Sequence, residues 1–292
     1  MDEANVKTVY YWLHDFYSVC TQFTLLRNDL VYCNAPGPDS NACMVCCYGA
    51  ERAKRLEQFS AILKHPKTRL ISPSQIAYDI HKRVFDLDDR KCVVHPHVLL
   101  EDAEQADLEH DRHNYKTDRF REEPVKIAFV GTPASHKGFE VFLKLVKKLE
   151  GENVEFYTYG KSKPQGLPAA VKHQLVTNTT LNETAVRDNL YYDNIDVVFS
   201  FAIWPETFSL TTVEAISAGC LVITSKDAGN VLSLVEQYDA GYVLEEEDLL
   251  PFIRFDVAEI LRKRTKKIYR MRFSNMTLDI AEEMVQEPSG NE

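Results

Sequence analysis

The sequence predicts an α/β fold of two domains, and three observations lead to this prediction. The chain has 292 residues, 45% hydrophobic and 27% charged, which is enough for one large or two modest buried cores. From residue 125 onward, short apolar runs alternate with helical patterns, as in βαβ units around a parallel sheet. A charged stretch poor in aliphatic residues, Glu101–Pro124, precedes that half and is predicted to be a connector.

Residues 1–124 show fewer strand patterns and predict a shortened α/β domain that ends in the connector. The predicted elements are strands at Val6–Leu13, Arg69–Ile71 and Lys91–Val94 and helices at Glu51–Leu63 and Gln75–Val84. Val6–Leu13 is apolar enough for a central strand, yet nothing before it supplies a parallel neighbour. Because unpaired apolar strands are normally covered, we expect this domain either to be the less stable part of the molecule or to be completed by a second chain or a second copy of this chain.

Residues 125–254 predict a Rossmann-like domain with a parallel sheet, since strands and helices alternate throughout. Its predicted strands are Lys126–Gly131, Val154–Gly160, His173–Thr177, Asp196–Phe201 and Leu221–Ser225, and its helices are His136–Leu149, Thr211–Ala218 and Val231–Tyr238. Residues 255–292 are predicted to be a C-terminal tail, mostly helical over Phe255–Met284, that packs across both halves.

Charge and hydropathy exclude several classes of protein. A formal net charge of −10 disfavours nucleic acid as a partner. The longest apolar run, Val197–Trp204, is too short to cross a bilayer, which takes about 20 residues. The acidic start of the chain and its seven cysteines predict a cytoplasmic protein with reduced thiols.

Three residue groups have the composition of metal sites. Cys33, Cys43, Cys46 and Cys47 contain one Cys-x-x-Cys pair, and Cys20 could join them. They are read either as a structural zinc site or as free thiols under a loop, and the irregular second pair favours free thiols. Asp86-Leu87-Asp88 is interpreted as a solvated turn, and His110 and His113 as surface residues of the connector.

The segment Trp204–Gly219 carries the clearest chemical signal. It follows a predicted buried strand and enters a helix, so it lies at the carboxyl edge of the sheet, where open α/β folds bind ligands. Glu206 and Glu214 flank small hydroxyl residues and the free backbone N–H groups of the helix start. A phosphate with sugar hydroxyls, as in a nucleotide-sugar, suits that arrangement. The alternative is an N-capped amphipathic helix with two exposed glutamates.

This segment resembles the retaining GT-B-fold glycosyltransferases of family 4 (glycosyl transferases group 1). Their signature E-x-F-G-L-x-x-x-E-A-x-A-x-G corresponds to ETFSLTTVEAISAG here, with Ser209 in place of the usual glycine. The preceding VGTPASHKGFEVFLKLVKKL resembles the family's V-G-R-L-x-x-x-K-G-x-x-x-L-x-x-A. The matches run in order from Val125 to about Leu250, and they imply a GT-B-like fold with a truncated N-terminal domain.

The resemblance assigns roles to individual residues of the second half. Glu214 matches the glutamate that holds the ribose hydroxyls, and Glu206 the one near the donor sugar. Lys137 matches the lysine that neutralises the diphosphate. The backbone of the loop would cradle the same group, and the strand-ending turn would border it; these residues are Phe208, Ser209, Leu210, Gly131 and Thr132. Thr132 stands where the family usually has arginine.

The first half resembles the same family more loosely. WLHDFYSVC with the later cysteines is similar to the H-D-(Y/F)-W-x-x-C-P…C…C-x-x-C pattern of some bacterial polysaccharide transferases. His14 would then match the histidine near the anomeric centre of the donor sugar, which makes it a third catalytic candidate beside Glu206 and Lys137. From the residues alone, an ordinary histidine at a strand end is the alternative.

Together these features predict a retaining hexosyl- or rhamnosyl-transferase in polysaccharide biosynthesis. It would move a sugar from a nucleoside diphosphate donor to a glycan or lipid-linked acceptor. No cofactor and no catalytic metal are expected, because Lys137 and the helix N-terminus would hold the diphosphate. A lipid-linked acceptor would bring the protein to the inner face of the membrane as a peripheral contact. The alternative is a non-catalytic nucleotide-sugar-binding subunit or a degenerate partner protein.

Overall fold

The computed structural model describes residues 6–102, 123–263 and 267–275 and shows two parallel sheets, one in each half of the chain. His110 and His113, which the sequence analysis interpreted as surface residues of the connector, lie outside the described residues. Among the described residues, no helix combines the length and apolar character that a membrane span requires.

A six-stranded parallel sheet organises the second half. Its strands are β7 (Val125–Val130), β8 (Val154–Gly160), β9 (Val171–Leu175), β10 (Val197–Phe199), β11 (Leu221–Thr224) and β12 (Gly241–Val243). They lie in the order β12-β11-β10-β7-β8-β9. The first strand therefore sits in the middle, and the order reverses between β7 and β10, as in Rossmann folds. The expected parallel sheet is confirmed.

Alternate side chains of β7 enter different cores on the two faces of this sheet. Ile127 and Phe129 pack with Phe142 on one face, whereas Ala128 and Val130 join the core on the other. The helices of this half are α4 (Phe139–Lys148), α5 (Ala185–Tyr192), α6 (Leu210–Ser217), α7 (Asn230–Tyr238) and α8 (Glu246–Pro251). Burial on both faces explains why these strands read as continuous apolar runs in the sequence.

The first half contains a smaller sheet of three parallel strands. These are β1 (Val9–Trp12), β4 (Thr68–Ser72) and β5 (Cys92–Val94), in the order β1-β4-β5. The other elements described before residue 98 are the short strands β2 (Leu26–Arg27) and β3 (Val31–Tyr32), the α-helices α1 (Asn41–Met44), α2 (Arg52–Leu63) and α3 (Gln75–Phe85), and a 3-10 turn at Asp89–Lys91. Within the predicted strand Val6–Leu13, the residues Val9–Trp12 form β1, which in the described part of the chain is an edge strand with one neighbour, β4.

The C-terminal segment corrects an expectation from the sequence. Residues Phe252–Lys263 are helical, the last seven forming α9 (Val257–Lys263). Tyr269–Phe273 is instead a strand, β13, which pairs antiparallel with β6 (Val98–Asp102). The prediction of a mostly helical tail is therefore wrong at β13, whose side chains alternate between buried and exposed in the manner of a strand.

β13 also connects the two halves, because the Ser217 hydroxyl of α6 donates to the Tyr269 carbonyl at 2.6 Å. The start of the predicted connector at Glu101 belongs to β6, whereas residues 103–122 lie outside the described part of the chain.

The different positions of β1 and β7 lead to a prediction about local stability. Backbone amides of β1, which has one strand neighbour in the described chain, should exchange with solvent faster than those of β7, which lies between β8 and β10. Hydrogen exchange followed by mass spectrometry on a proven monomer measures both segments at once. Equal, slow exchange would contradict the expectation that the first half needs a covering partner.

Candidate functional site

The candidate site lies where the strand order of the six-stranded sheet reverses. Gly131 and Thr132 follow β7, and the loop Glu206–Leu210 follows β10, the neighbour of β7. Since parallel strands end at the same edge, residues about seventy positions apart in the sequence meet there. This crevice at the carboxyl ends is the usual ligand site of open α/β sheets.

Two glycines shape the loop that carries Lys137. Gly131 has φ +102° and Gly138 has φ +79°, both in the region that favours glycine. A Cβ on Gly138 would lie 2.1 Å from the Phe201 carbonyl oxygen, so only glycine permits this close approach. The amide of Ile203 donates to the His136 carbonyl at 3.0 Å and joins the loop to the segment after β10. Lys137 is thereby placed beside Glu206.

Glu206 is held by its own backbone. Its amide donates to the Ala228 carbonyl at 3.2 Å, and its carbonyl accepts from the Asn230 amide at 2.8 Å. Gly229, with φ +62°, lies so close that a Cβ there would stand 2.6 Å from Pro205 Cα. These contacts bury the glutamate, which is 5% exposed.

The Glu206 carboxylate forms an ion pair with Lys137. Lys137 Nζ lies 3.1 Å from Glu206 Oε1. The lysine side chain is 31% exposed and that of the glutamate only 7%, so the cation faces the open side of the pair. A buried carboxylate needs such a partner, because an unpaired buried charge is costly.

The N-terminus of α6 points into the same crevice. Ser209 is its N-cap, but the serine side chain does not cap the helix. The Ser209 hydroxyl instead lies 2.9 Å from the Thr212 hydroxyl, and the Ser209 amide donates to Asn230 Oδ1 at 3.0 Å. The first-turn amides of α6 are therefore left without a side-chain cap from Ser209. Together with the helix dipole they favour an anion at this end.

Glu214, one helical turn further into α6, occupies a different environment. It is 1% exposed and accepts a hydrogen bond from the Asn178 side-chain amide. Asn178 is oriented in turn by the Val186 amide, which donates to its Oδ1 at 3.0 Å. Burial raises the pKa of Glu214 to about 7, and the Asn178 bond opposes that increase. The alternative of two exposed glutamates on an amphipathic helix does not hold, because both Glu206 and Glu214 are buried.

His14 approaches the crevice from the first half of the chain. Its exposed ring stacks on Trp12 at 5.4 Å and on His97 at 5.6 Å, and the His97 ring lies 4.9 Å from that of Phe208. Burial lowers the pKa of His97, and the neighbouring His14 and His95 lower it further. The aromatic chain from Trp12 to Phe208 joins β1 to the loop of the second half.

Two hydrogen bonds connect the same loop to the first half. The Thr207 hydroxyl donates to the His14 carbonyl at 2.5 Å, and the Ser74 hydroxyl donates to the Thr207 carbonyl at 2.6 Å. Both Ser74 and Thr207 are buried. The loop that holds Glu206 is therefore in contact with both halves.

The structure brings most of the predicted site residues to one sheet edge, and it adds others that the sequence did not single out. Thr132 is exposed at this edge, where the family resemblance would place an arginine. The additional residues are Asn178, Ser74, Thr207 and His97. No pattern in the sequence marks Asn178, because it follows β9 in an irregular segment and reaches Glu214 only through the fold.

The described residues contain no group of three or more His, Cys, Asp and Glu side chains arranged to hold a metal ion. The Asp86-x-Asp88 pair forms a turn, in agreement with its interpretation. Asp86 has φ 51° at the end of α3, and Asp88 accepts from the Arg90 amide at 3.0 Å and pairs with the Arg90 side chain.

Comparison with known families finds a similarity in the second half. Residues 111–253, slightly less than half of the chain, match the family model of Glycosyl transferases group 1. This range contains Lys137, Glu206 and Glu214. No curated protein matches the chain.

Solved structures with the same fold include three glycosyltransferases. WaaG, a glycosyltransferase involved in lipopolysaccharide biosynthesis, superposes with a TM-score of 0.54 at 14% identity, over 98% of this chain and 80% of WaaG. HepE of Anabaena, in complex with UDP and glucose, gives 0.54 at 15% identity, over 96% of this chain and 72% of HepE. A glycosyltransferase from Rickettsia africae ESF-5 gives a TM-score of 0.50 at 17% identity, over 79% of this chain and 68% of that protein. The α/β fold of GT-B type is confirmed.

The buried position of Glu214 predicts a pH-dependent stability. Its pKa is about 7 in the folded chain and 4.5 ordinarily, so the folded state keeps a proton that the unfolded chain releases. The resulting stabilisation is complete below about pH 4.5 and is lost as the pH rises through about 7. When the pH is raised from about 5 to about 8, the wild type should therefore lose on the order of 2–3 kcal/mol of unfolding free energy that Glu214→Gln keeps.

Urea unfolding of both proteins at the two pH values measures this difference. Glu236→Gln, which changes an exposed glutamate of α7, serves as the matched control and should lose as much as the wild type. An equal pH response of wild type and Glu214→Gln would contradict the protonation of Glu214.

Proposed function

We propose that this protein transfers a sugar from a nucleoside diphosphate donor to a glycan or lipid-linked acceptor, with retention of anomeric configuration. The observation that carries the proposal is the Lys137–Glu206 pair, which lies beside the uncapped start of α6 at the reversal of strand order. A cation, a helix N-terminus and a carboxylate at one sheet edge provide for both phosphate and sugar hydroxyls. The match of residues 111–253 to the group 1 family model supports glycosyl transfer.

The donor nucleotide would bind through its diphosphate and its ribose. Lys137 would turn its ammonium group from Glu206 toward the diphosphate, since it is the more exposed member of the pair. The Leu210 amide would contact the same phosphates at the positive end of α6, and the Ser209 amide would do so by exchanging its bond to Asn230 Oδ1 for one to the ligand. Glu214 would accept the ribose hydroxyls and exchange its bond from Asn178 for bonds from the ligand.

The donor sugar would lie between the two halves of the chain. Glu206 would accept its hydroxyls, and His14 would stand on the opposite side, near the anomeric carbon. The two hydrogen bonds of Thr207 and Ser74 support this placement, because they hold the Glu206 loop against the His14 segment. Lys137 and the helix N-terminus would supply the positive charge that a metal ion provides in other transferases.

Retention fits an attack from the face of the leaving group. The acceptor oxygen forms a bond to the anomeric carbon while the bond from that carbon to the phosphate oxygen breaks. The acceptor proton passes to the departing phosphate oxygen, so the products are the glycoside and the nucleoside diphosphate. Lys137 would stabilise the negative charge that develops on this leaving group.

The similar structures are compatible with this assignment. HepE was solved in complexes with UDP and glucose and with UDP-glucose, and WaaG acts in lipopolysaccharide biosynthesis. By analogy, a uridine diphosphate sugar is the first donor to test and a growing saccharide is the first class of acceptor.

Nucleoside diphosphates should raise the thermal stability of the protein. A ligand that binds only the folded state adds about 2.7 kcal/mol at a hundredfold excess over Kd. Thermal unfolding with UDP, GDP, ADP and dTDP measures the shift, uridine is the control that lacks the diphosphate, and EDTA should leave the shift unchanged. The donor-site proposal fails if none of the four nucleotides raises Tm at millimolar concentration. Binding without turnover of the matching nucleotide-sugar would favour the non-catalytic alternative.

The two glutamates should have separable effects on binding and transfer. Glu214→Gln should weaken UDP or GDP binding about tenfold, roughly 1.4 kcal/mol, because bonds from the ribose to a charged acceptor are lost. Glu206→Gln should leave the affinity for the free nucleotide unchanged or slightly higher, since Lys137 loses a competing carboxylate, and should abolish transfer. Calorimetric titration of both variants and of Glu236→Gln measures this. Equal losses of nucleotide affinity in the Glu206 and Glu214 variants would contradict the division of roles.

A further inference from the structure

Four cysteines of the first half line one cavity away from the candidate donor site. They are Cys20, Cys33, Cys43 and Cys46, and the cavity lies between the β2–β3 hairpin, helix α1 and the start of α2. All four are free thiols, and Cys20 and Cys43 are buried. Cys47, which the sequence grouped with them, is exposed and does not line the cavity.

The backbone brings these cysteines together from separate stretches of chain. The Cys20 amide donates to the Phe16 carbonyl at 2.9 Å, and the Cys33 amide donates to the Leu25 carbonyl at 3.0 Å. The Cys46 amide donates to the Cys43 carbonyl at 3.1 Å, which gives the Cys-x-x-Cys segment the tight turn common in metal-binding pairs. The four thiols are thus fixed around one space by the local fold.

A buried arginine faces the same cavity and has no acidic partner among the described residues. Arg52 is 3% exposed; its Nε donates to the Val19 carbonyl at 3.2 Å and its Nη1 donates to Cys43 Sγ at 2.8 Å. Its Nη2 is buried and has no hydrogen-bond partner among the residues that the structure describes. No Asp or Glu side chain is among the described residues that line the cavity.

Within the part of the chain that the structure describes, the positive charge of Arg52 therefore has no negative counter-charge. Burying a guanidinium without a counter-charge is costly, and neutral thiols supply no counter-charge. Thiolates bound to a metal ion do, because four of them around Zn²⁺ carry a net negative charge and accept N–H hydrogen bonds. The contact from Arg52 Nη1 to Cys43 Sγ would become a bond of this kind if Cys43 bound a metal ion as a thiolate.

We propose that Cys20, Cys33, Cys43 and Cys46 bind one zinc ion in a structural site beside Arg52. Four sulfur ligands, a Cys-x-x-Cys pair and a neighbouring N–H donor are typical of closed tetrahedral zinc sites. In the described residues the thiols are not arranged as a coordination shell, so binding requires their side chains to turn toward the common cavity. The proposal therefore favours the zinc-site interpretation of these cysteines over free thiols, and it replaces Cys47 by Cys20 as the fourth ligand.

The proposed ion would stabilise the least regular part of the first half. Between β1 and α2 the described elements are two strands of two residues each and one helix of four residues. So little regular structure gives few backbone hydrogen bonds, and a metal ion that joins three stretches of chain adds folding free energy directly. The site would support the segment that follows His14 without contacting the donor.

Metal analysis of the full chain tests the proposal. Variants of two adjacent cysteines, the proposed ligand Cys46 and the non-ligand Cys47, serve as the test and its matched control. Protein purified under reducing conditions without chelator should contain one zinc per chain. Cys47→Ser should keep that zinc, whereas Cys46→Ser should lose it and melt at a lower temperature. If Cys46→Ser does not fold, cobalt provides the second measurement. One Co²⁺ per wild-type chain should then give the intense visible absorption of tetrahedral thiolate coordination.

Several results would overturn the assignment. These are zinc absent from the wild type after refolding with added zinc, equal zinc content in the two variants, iron in place of zinc, or a native mass that shows disulfides among the four cysteines. Rapid alkylation of all four thiols in the native, zinc-supplied protein would overturn it as well. None of these results depends on donor binding, so the zinc site and the proposed transferase activity fail or stand separately.

Discussion

The reversal of strand order between β7 and β10 is the constraint on which the candidate site depends. It places the ends of two neighbouring parallel strands beside an open crevice, and every charged group of the site follows one of them. Lys137 lies in the loop that follows β7, whereas Glu206 and α6 follow β10. Gly138 permits the close approach of the Lys137 loop to the segment after β10, and Gly229 permits the close approach of the loop after β11 to the backbone at Pro205 and Glu206.

Glu206 and Glu214 show how one fold gives two carboxylates different properties. Glu206 is buried with a lysine at 3.1 Å, so its charge is compensated. Glu214 is buried beside the neutral Asn178 amide, and its burial raises its pKa to about 7. A nucleotide whose hydroxyls replaced Asn178 would favour the charged form of Glu214, and ligand binding would release a proton near neutral pH.

The two halves of the chain depend on each other through the same loop. Thr207 binds the backbone of His14 and accepts from Ser74, while β13 pairs with the end of the first half and contacts α6. The first half itself has a three-stranded sheet and, around its cysteines, a set of short elements. Contacts with the second half therefore contribute to its stability, in addition to any metal ion in the cysteine cavity.

The sequence by itself determined the α/β class, the parallel strands of the second half and the segment that carries Glu206 and Glu214, because apolar periodicity and motif spacing are local properties. It did not reveal the strand at Tyr269–Phe273, the Asn178–Glu214 bond or the replacement of Cys47 by Cys20 at the cavity. Each of these depends on which distant segments become neighbours. Strand pairing and side-chain packing decide that, and they exist only once the chain has folded.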